Sequence, residues 1–276
     1  MNNLIDGKKL SQEILDQLKI EIESNQLQPK LAIIKVGDDP ASSVYVKNKL
    51  VAAQKIGVDA KLIQLDENIT QNQLEEEIIK INQSNINGYI VQLPLPEQIN
   101  ENKIINLIDP KKDIDGFGVN IAGAIMQNSA TIFPCTPLGI IEMIKNYNIQ
   151  VAGKNAVIIG RSNIVGKPIG MMLLNLNATV TFTHSKTKNL DGILNNADII
   201  VSAVGKTNIV NANNIKENAI IFDVGMNRDE NNKLCGDVDF KNVQPLAQYI
   251  TPVPGGVGPM TVAMLMKNLV NATKKN

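Results

Sequence analysis

The sequence predicts an α/β protein of two domains, each a parallel sheet with helices on its faces. Three observations predict this. Short apolar strands alternate with amphipathic helical patterns, the arrangement that builds parallel sheets. The alternation comes in two series, divided near "KKDIDGFG" and "PCTPLGI". The second series opens on a strand that ends in glycine just before a helix, which aims backbone N–H groups at an anion. A chain of 276 residues can hold two modest domains with real cores.

The elements follow in order. "KLAIIKVG" reads as a strand. "SSVYVKNKLVAAQKIG" reads as a helix, capped by Ser42 or Ser43 and closed by Gly57. "VDAKLIQL" is a strand, "TQNQLEEEIIKI" a helix and "GYIVQLP" a strand. In the second series "NAVIIG" is a strand and "VGKPIGMMLLNL" a helix. "ATVTFTH", "ADIIVSAVG" and "NAIIFDVG" are strands. The final helical run, "MTVAMLMKNLVNATKKN", follows a Pro/Gly-rich turn and is expected to return to the first domain. The first domain is therefore drawn as residues 1–118 plus 259–276, and the second as 119–258. No solenoid period or low-complexity tract interrupts them.

Composition narrows the function. The formal net charge is zero, which argues against nucleic-acid or anionic-membrane partners. No apolar run reaches the length of a membrane span. The opening "MNNLIDGKKLSQEILDQLKI" mixes acids with lysines, unlike a secretory signal or an Arg-rich transit peptide. Cys135 and Cys235 are far apart and His184 is the single histidine, so no metal site is expected. Two thiols without a framework fit a reducing cytoplasm, and both are expected to be buried. The basic residues are almost all lysine. Arg161 and Arg228 are the two arginines.

The stretch "IIGRSNIVGKP", residues 158 to 168, carries one of them. The dinucleotide fingerprint wants glycine, any residue, glycine, two residues, glycine. Here Gly160 permits the tight turn and Gly166 close helix packing, while Ser162 stands where the middle glycine belongs. Pro168 suits a helix start. An NAD site places Asp or Glu at the end of the second strand for the ribose 2′-hydroxyl. This strand ends in "HSKT", residues 184 to 187, with no carboxylate. A 2′-phosphate would meet Arg161, Ser185 and Lys186 instead, so the loop points to NADP. A solvated surface arginine is the competing reading of Arg161. His184 is read as a hydrogen-bonded residue at a strand end rather than a general base.

The first domain gathers other reactive residues. Tyr45 and Lys49 are four apart on one helix and share a face. That suits a flat ligand and a proton donor, although such pairs also decorate surfaces. Gln92 ends a strand, where open α/β sheets place ligands, and could hold the Lys49 amine or cap loose backbone. Asp113 and Asp115 sit in a glycine-flanked loop. A carboxylate there could pair with an amino-pyrimidine edge, or serve the turn. "TPVPGGVGPMT", residues 251 to 261, reads as a stiff wall with exposed backbone N–H groups.

Together "YVKNK", "VQLPLP", "KDIDGFG", "PCTPLG", "GRSNIVGKP", "HSKT", "DVGMNR", "GDVDF" and "TPVPGGVGPMT" resemble one family over essentially the whole chain. It is the bifunctional methylenetetrahydrofolate dehydrogenase/methenyltetrahydrofolate cyclohydrolase family. The resemblance implies two α/β domains, the second Rossmann-like and NADP-binding, with long helices joining them and a folate cleft between them. It also implies a cytoplasmic homodimer that works on tetrahydrofolate derivatives in one-carbon metabolism and purine biosynthesis. Its NADP site corresponds to Gly160, Arg161, Ser162 and Ser185, with Met226 giving a backbone contact. Its folate site corresponds to Tyr45 stacking on the substrate, Lys49 as catalytic amine, Gln92 tuning Lys49, and Asp115 holding the pterin. Val91 and Leu93 flank Gln92 in that site. Gly255, Gly256, Val257, Gly258 and Pro259 would close on the folate.

The implied chemistry is hydride transfer from 5,10-methylenetetrahydrofolate, then hydrolysis of the methenyl cation to 10-formyltetrahydrofolate. The second half needs proton carriers, a task a lysine can perform in a suitable environment. Two positions depart from the family's pattern. Ile121 takes the slot of an asparagine, and Leu138 stands where a basic residue is common. Both are expected near the linker and the rim of the cleft. The rival readings are a single-activity enzyme, a catalytically silent folate or nucleotide scaffold, and an unrelated NADP dehydrogenase.

Overall fold

The computed structural model describes residues 3–275. The chain begins with α1 (Gly7–Ser24), β1 (Lys30–Val36), α2 (Pro40–Lys55), β2 (Asp59–Leu65), α3 (Gln71–Asn82) and β3 (Gly88–Val91). Three helices follow: α4 (Glu101–Leu107), α5 (Val119–Met126) and α6 (Cys135–Asn146). Next come β4 (Asn155–Ile159), α7 (Gly166–Asn175), β5 (Thr179–Thr183), α8 (Leu190–Leu194), β6 (Ile199–Ser202) and β7 (Ile220–Asp223). The chain continues through β8 (Asn227–Arg228), β9 (Leu234–Cys235), α9 (Phe240–Val243), β10 (Tyr249–Ile250) and α10 (Val257–Lys275).

Two compact units emerge. The N-terminal unit takes Gln12–Cys135 with Val262–Asn276, and the central unit takes Met1–Ser11 with Thr136–Thr261. The sequence reading placed its divisions after 118 and 258. Three segments account for the difference. The chain up to Ser11, the start of α1 included, joins the central unit, where Ile5 N donates to Ile250 O at 2.9 Å and the Asn3 amide donates to Gln244 O at 2.7 Å. Residues 119–135 join the N-terminal unit, where the Asn268 amide donates to Phe133 O at 2.9 Å. Residues 259–261 stay with the central unit.

In the N-terminal unit the sheet order is β2-β1-β3, all parallel. β1 is central and almost wholly buried, while the edge strand β2 has only exposed and half-buried positions. One face packs Ala32, Ile34, Leu74, Ile78, Tyr89 and Ile104 into a core. α2 starts earlier than the serines predict. Asp39 is the cap, its Oδ2 accepting from Ser42 N at 2.6 Å, and Pro40 takes the first helical position. α3 carries the capping box of Thr70 and Gln73.

In the central unit the parallel sheet runs β10-β7-β6-β4-β5. β5 lies on one side of β4 and β6 on the other, so the strand order reverses at β4. Open α/β sheets bind ligands outside the carboxyl ends of the strands at such a point. Val157, Ile159, Leu194, Ile200 and Ile221 form its core.

Some elements escaped the sequence reading. α1 is one, although Leu10, Leu15, Leu18 and Ile22 give it a buried stripe. α6 is another, hidden by Pro137 in its first turn. Cys135 is buried as expected, but Cys235 is only half-buried because it lies on the small β8–β9 hairpin. Ile121 and Leu138 are core residues, 7% and 9% exposed, so the departures sit in packing positions rather than on an open rim.

Candidate functional site

Four elements of the N-terminal unit converge on one polar cluster. α2 carries Tyr45 and Lys49 one turn apart. Gln92 directly follows β3, its N–H still donating to Ile34 O at 2.8 Å. Lys49 is 7% exposed, and its ammonium donates to Gln92 Oε1 at 3.0 Å. The Gln92 amide nitrogen donates to Leu93 O at 2.7 Å. That bond fixes the glutamine with its oxygen toward the lysine. Val91 is buried beneath it, and the Leu93–Pro94 peptide is cis.

The loop after β3's neighbouring bridge supplies the carboxylate. Tyr89 pairs with Asp113 in a parallel bridge, and the structure then separates the two loop acids. Asp113 is 1% exposed. Its oxygens accept from Gly116 N at 2.9 Å and Gly118 N at 2.8 Å. It serves the loop itself, and burial pushes its pKa up to about 6. Asp115 is the acid near the lysine. Burial raises its pKa, opposed first by the Lys49 charge and then by a hydrogen bond from the Cys135 thiol. Burial, then the Asp115 charge, holds the Cys135 thiol well above its ordinary value, so it stays an S–H donor. Burial also raises the Tyr45 phenol. Two residues outside the sequence reading of this site hold the loop. They are Cys135 and Asn268, whose amide donates to Ile114 O at 2.9 Å. Cys135 was legible in "PCTPLG"; Asn268 sits on α10 with no motif around it.

In the central unit the glycine loop has the geometry its sequence suggests. Gly160 has φ +118°, and a Cβ there would lie 2.7 Å from Ala203 O. A Cβ on Gly166 would lie 2.4 Å from Gly160 O. Ser162 does not obstruct the loop. Its Oγ accepts from Val165 N and Gly166 N, each at 3.2 Å, and so caps α7. Ile159 pairs with Thr183, and Gly160 N donates to Thr183 O at 3.0 Å. The pairing sets the exposed Arg161 and Ser185 each two residues beyond neighbouring strand ends. His184 is tied into the turn: its N–H donates to Thr187 Oγ1 at 2.9 Å and its Nδ1 accepts from Lys186 N at 3.2 Å. Met226, half-exposed, follows β7. A close-approach glycine turn, a helix N-terminus, an exposed arginine and no acid at the end of β5 fit a dinucleotide phosphate.

The Pro/Gly-rich segment differs from a simple wall. α10 begins at Val257, so Val257, Gly258 and Pro259 form its first turn. Gly255 has φ +104°, the Val253–Pro254 peptide is cis, and Gly255 O accepts from Lys8 N at 2.9 Å. Gly256 approaches Gly7 so closely that a Cβ on Gly7 would lie 2.0 Å from Gly256 O.

Comparison with known proteins gives a consistent result. Residues 5–115 match the catalytic domain of tetrahydrofolate dehydrogenase/cyclohydrolase. Residues 134–276 match its NAD(P)-binding domain. The bifunctional protein FolD of Agathobacter rectalis is 49% identical over 100% of both chains. The crystal structure of the bifunctional FolD dehydrogenase/cyclohydrolase from Campylobacter jejuni is 45% identical. It superposes with a TM-score of 0.96, covering 99% of this chain and 98% of that one. The Trypanosoma brucei enzyme, solved with NADP cofactor and an inhibitor, is 35% identical with a TM-score of 0.94, over 99% and 97% of the two chains. With a polar lysine cluster in one unit and a dinucleotide loop in the other, the chain belongs to the tetrahydrofolate dehydrogenase/cyclohydrolase family.

Proposed function

We propose that the chain oxidises 5,10-methylenetetrahydrofolate to 5,10-methenyltetrahydrofolate with NADP⁺, then hydrolyses the product to 10-formyltetrahydrofolate. The observation that carries this reading is the Lys49–Gln92 contact at 3.0 Å, beside the Asp115 carboxyl. Bound NADP⁺ supplies the hydride acceptor. Arg161 and Ser185 would hold its 2′-phosphate, the Gly160–Ser162 turn would take the pyrophosphate, and Met226 would offer a backbone contact. The protein's contribution to hydride transfer is position, because that step needs no protein nucleophile.

The hydrolytic step asks more of the side chains. Water adds to the methenyl carbon, a proton leaves that oxygen, and a ring nitrogen takes a proton as the carbinolamine opens. Lys49 carries these protons. Gln92 takes one ammonium N–H and so directs the others, while Asp115 holds the pterin edge. Tyr45 stacks on the substrate's aromatic portion, with Val91 and Leu93 lining the approach and residues 255–259 closing over it. The working form is a cytoplasmic homodimer, and its 10-formyl product feeds purine biosynthesis. Sedimentation of the purified protein at twice the monomer mass tests the oligomeric part. No helix among the described residues is long and apolar enough to cross a membrane.

An ultraviolet time course tests the main reading. Protein with 5,10-methylenetetrahydrofolate should form NADPH above background, and protein with 5,10-methenyltetrahydrofolate alone should speed loss of the methenyl absorbance. NADPH without methenyl hydrolysis would remove Lys49 from its role. No turnover in either assay, with folate bound, would favour a silent scaffold.

A further inference from the structure

The central unit buries a pair of carboxylates that neither half of the chemistry uses. Asp223 ends β7 and Asp237 lies just beyond β9, 3% and 0% exposed. Asp237 accepts four hydrogen bonds. Its Oδ2 takes Ser202 Oγ–H at 2.8 Å and Val204 N–H at 2.9 Å. Its Oδ1 takes Lys206 N–H at 2.9 Å and the Asn227 amide at 3.0 Å. Asp223 accepts from Asp237 N and Gly225 N at 2.9 Å and from Val238 N at 3.0 Å. The fit leaves no slack: a Cβ on Gly225 would stand 2.1 Å from Asp237 Oδ1, and one on Gly236 1.9 Å from Asp223 Oδ2.

Burying carboxylates is costly, and apolar packing would fill the same space more cheaply. Burial raises the Asp223 pKa to about 6, against the backbone N–H bonds it accepts. What the pair holds is therefore informative. Residues 203–206 leave the carboxyl end of β6, and residues 224–227 leave that of β7. The first of these loops lies against the glycine turn, with Ala203 N donating to Ile159 O at 2.9 Å. Ala203 O fills the space a Gly160 side chain would need. β4 and β6 are the strands between which the sheet order reverses.

We infer that Asp237 is a positioning residue for the dinucleotide. It fixes the backbone of residues 203–206 and the Asn227 side chain, so that the crevice beside Gly160 is set before the ligand arrives. A wall already ordered costs less to bind against than one that must order on contact. Asp237 touches no substrate atom. The inference rests on the reading of the central unit as the NADP-binding domain.

The test uses the full-length chain and calorimetric titration of NADP. Asp237→Asn keeps the shape but turns an N–H₂ group toward backbone donors. Ser202→Ala removes one of the four bonds and leaves the carboxylate. Amide exchange at Val204 and Lys206, and methenyl hydrolysis without cofactor, are measured alongside. Asp237→Asn should weaken NADP binding about tenfold or more, speed exchange at both amides, and leave hydrolysis within about twofold. Ser202→Ala should weaken binding roughly threefold. Wild-type affinity in Asp237→Asn, with both amides exchanging faster, would overturn the positioning role. If Asp237→Asn loses NADP binding and hydrolysis together, Ser202→Ala decides: wild-type affinity there overturns the role. A wild type that binds no NADP would instead fail the domain reading, and the inference with it.

Discussion

Lys49 and Gln92 are 43 positions apart in the chain, and their contact exists because α2 and the end of β3 belong to one sheet layer. The amine's direction is set by a relay of two bonds, Lys49 to Gln92 and Gln92 to Leu93 O. Lys49→Ala should therefore lower methenyl hydrolysis by about a hundredfold or more, the usual worth of a proton carrier. Dehydrogenase activity should survive in part, and steady-state rates of both reactions check this. Full hydrolysis in the variant would discharge Lys49. Arg161 offers a second single-residue prediction. Arg161→Ala should raise KM for NADP about tenfold while KM for NAD moves within about twofold, because the 2′-phosphate alone loses its forked partner. Equal changes would reject that contact. At this scale the sequence is informative about chemistry. The residues alone leave Asp113 and Asp115 open, and the family resemblance singles out Asp115 without saying what Asp113 does. Only the fold shows that Asp113 spends its oxygens on Gly116 and Gly118 while Asp115 lies near Lys49.

Elements were legible where periodicity and turn chemistry agreed. β1, β4, β6 and β7 are short runs rich in branched residues, each followed within three residues by a glycine, and each appears where the pattern puts it. The start of α2 was misplaced because two serines and one aspartate competed for the cap, and the proline favours the aspartate. Asparagine use also becomes intelligible here. Among the described residues, seven of the eight non-glycine residues with positive φ are asparagine, including Asn148, Asn177 and Asn218 at turns. Asparagine tolerates the left-handed conformation better than other side chains do. Glycines divide by what surrounds them. Gly166→Ala would press a methyl within 2.4 Å of Gly160 O. It should cost about 1–3 kcal/mol and weaken NADP binding. Gly123, exposed on α5, has nothing within 4 Å of an added methyl, so Gly123→Ala should stabilise by about 0.5–1 kcal/mol. Urea midpoints of the two variants should shift in opposite directions.

For the molecule as a whole, two buried acids shape the response to pH. Asp113 and Asp223 each titrate near 6 in the folded chain, against an ordinary 3.8, chiefly because burial disfavours the charge. The folded state thus binds their protons more tightly than the unfolded one. Their contribution to stability is fully present below about pH 4 and is lost as pH rises through about 6, up to about 3 kcal/mol each. Asp113→Asn should flatten the fall of the urea midpoint between pH 4 and 7, and unchanged slopes would show that Asp113 is ionised throughout. The division into α/β domains was readable from the two strand series, but the exact cuts were not, since they depend on tertiary hydrogen bonds such as Ile5 N to Ile250 O. The N-terminal unit is discontinuous: residues 262–276 complete a body whose other part ends at Cys135. α10 gives that body Leu269, within 3.2 Å of where a Gly88 methyl would sit, and Asn268, which grips Ile114 O and Phe133 O. On a ribosome the sheet of this unit emerges first and must wait through all of residues 136–261 for its missing helix. The nascent chain therefore carries Lys49 and Gln92 long before Asn268 can grip Ile114 O and Phe133 O, and the final anchoring of the Asp115 loop is among the last steps that translation permits.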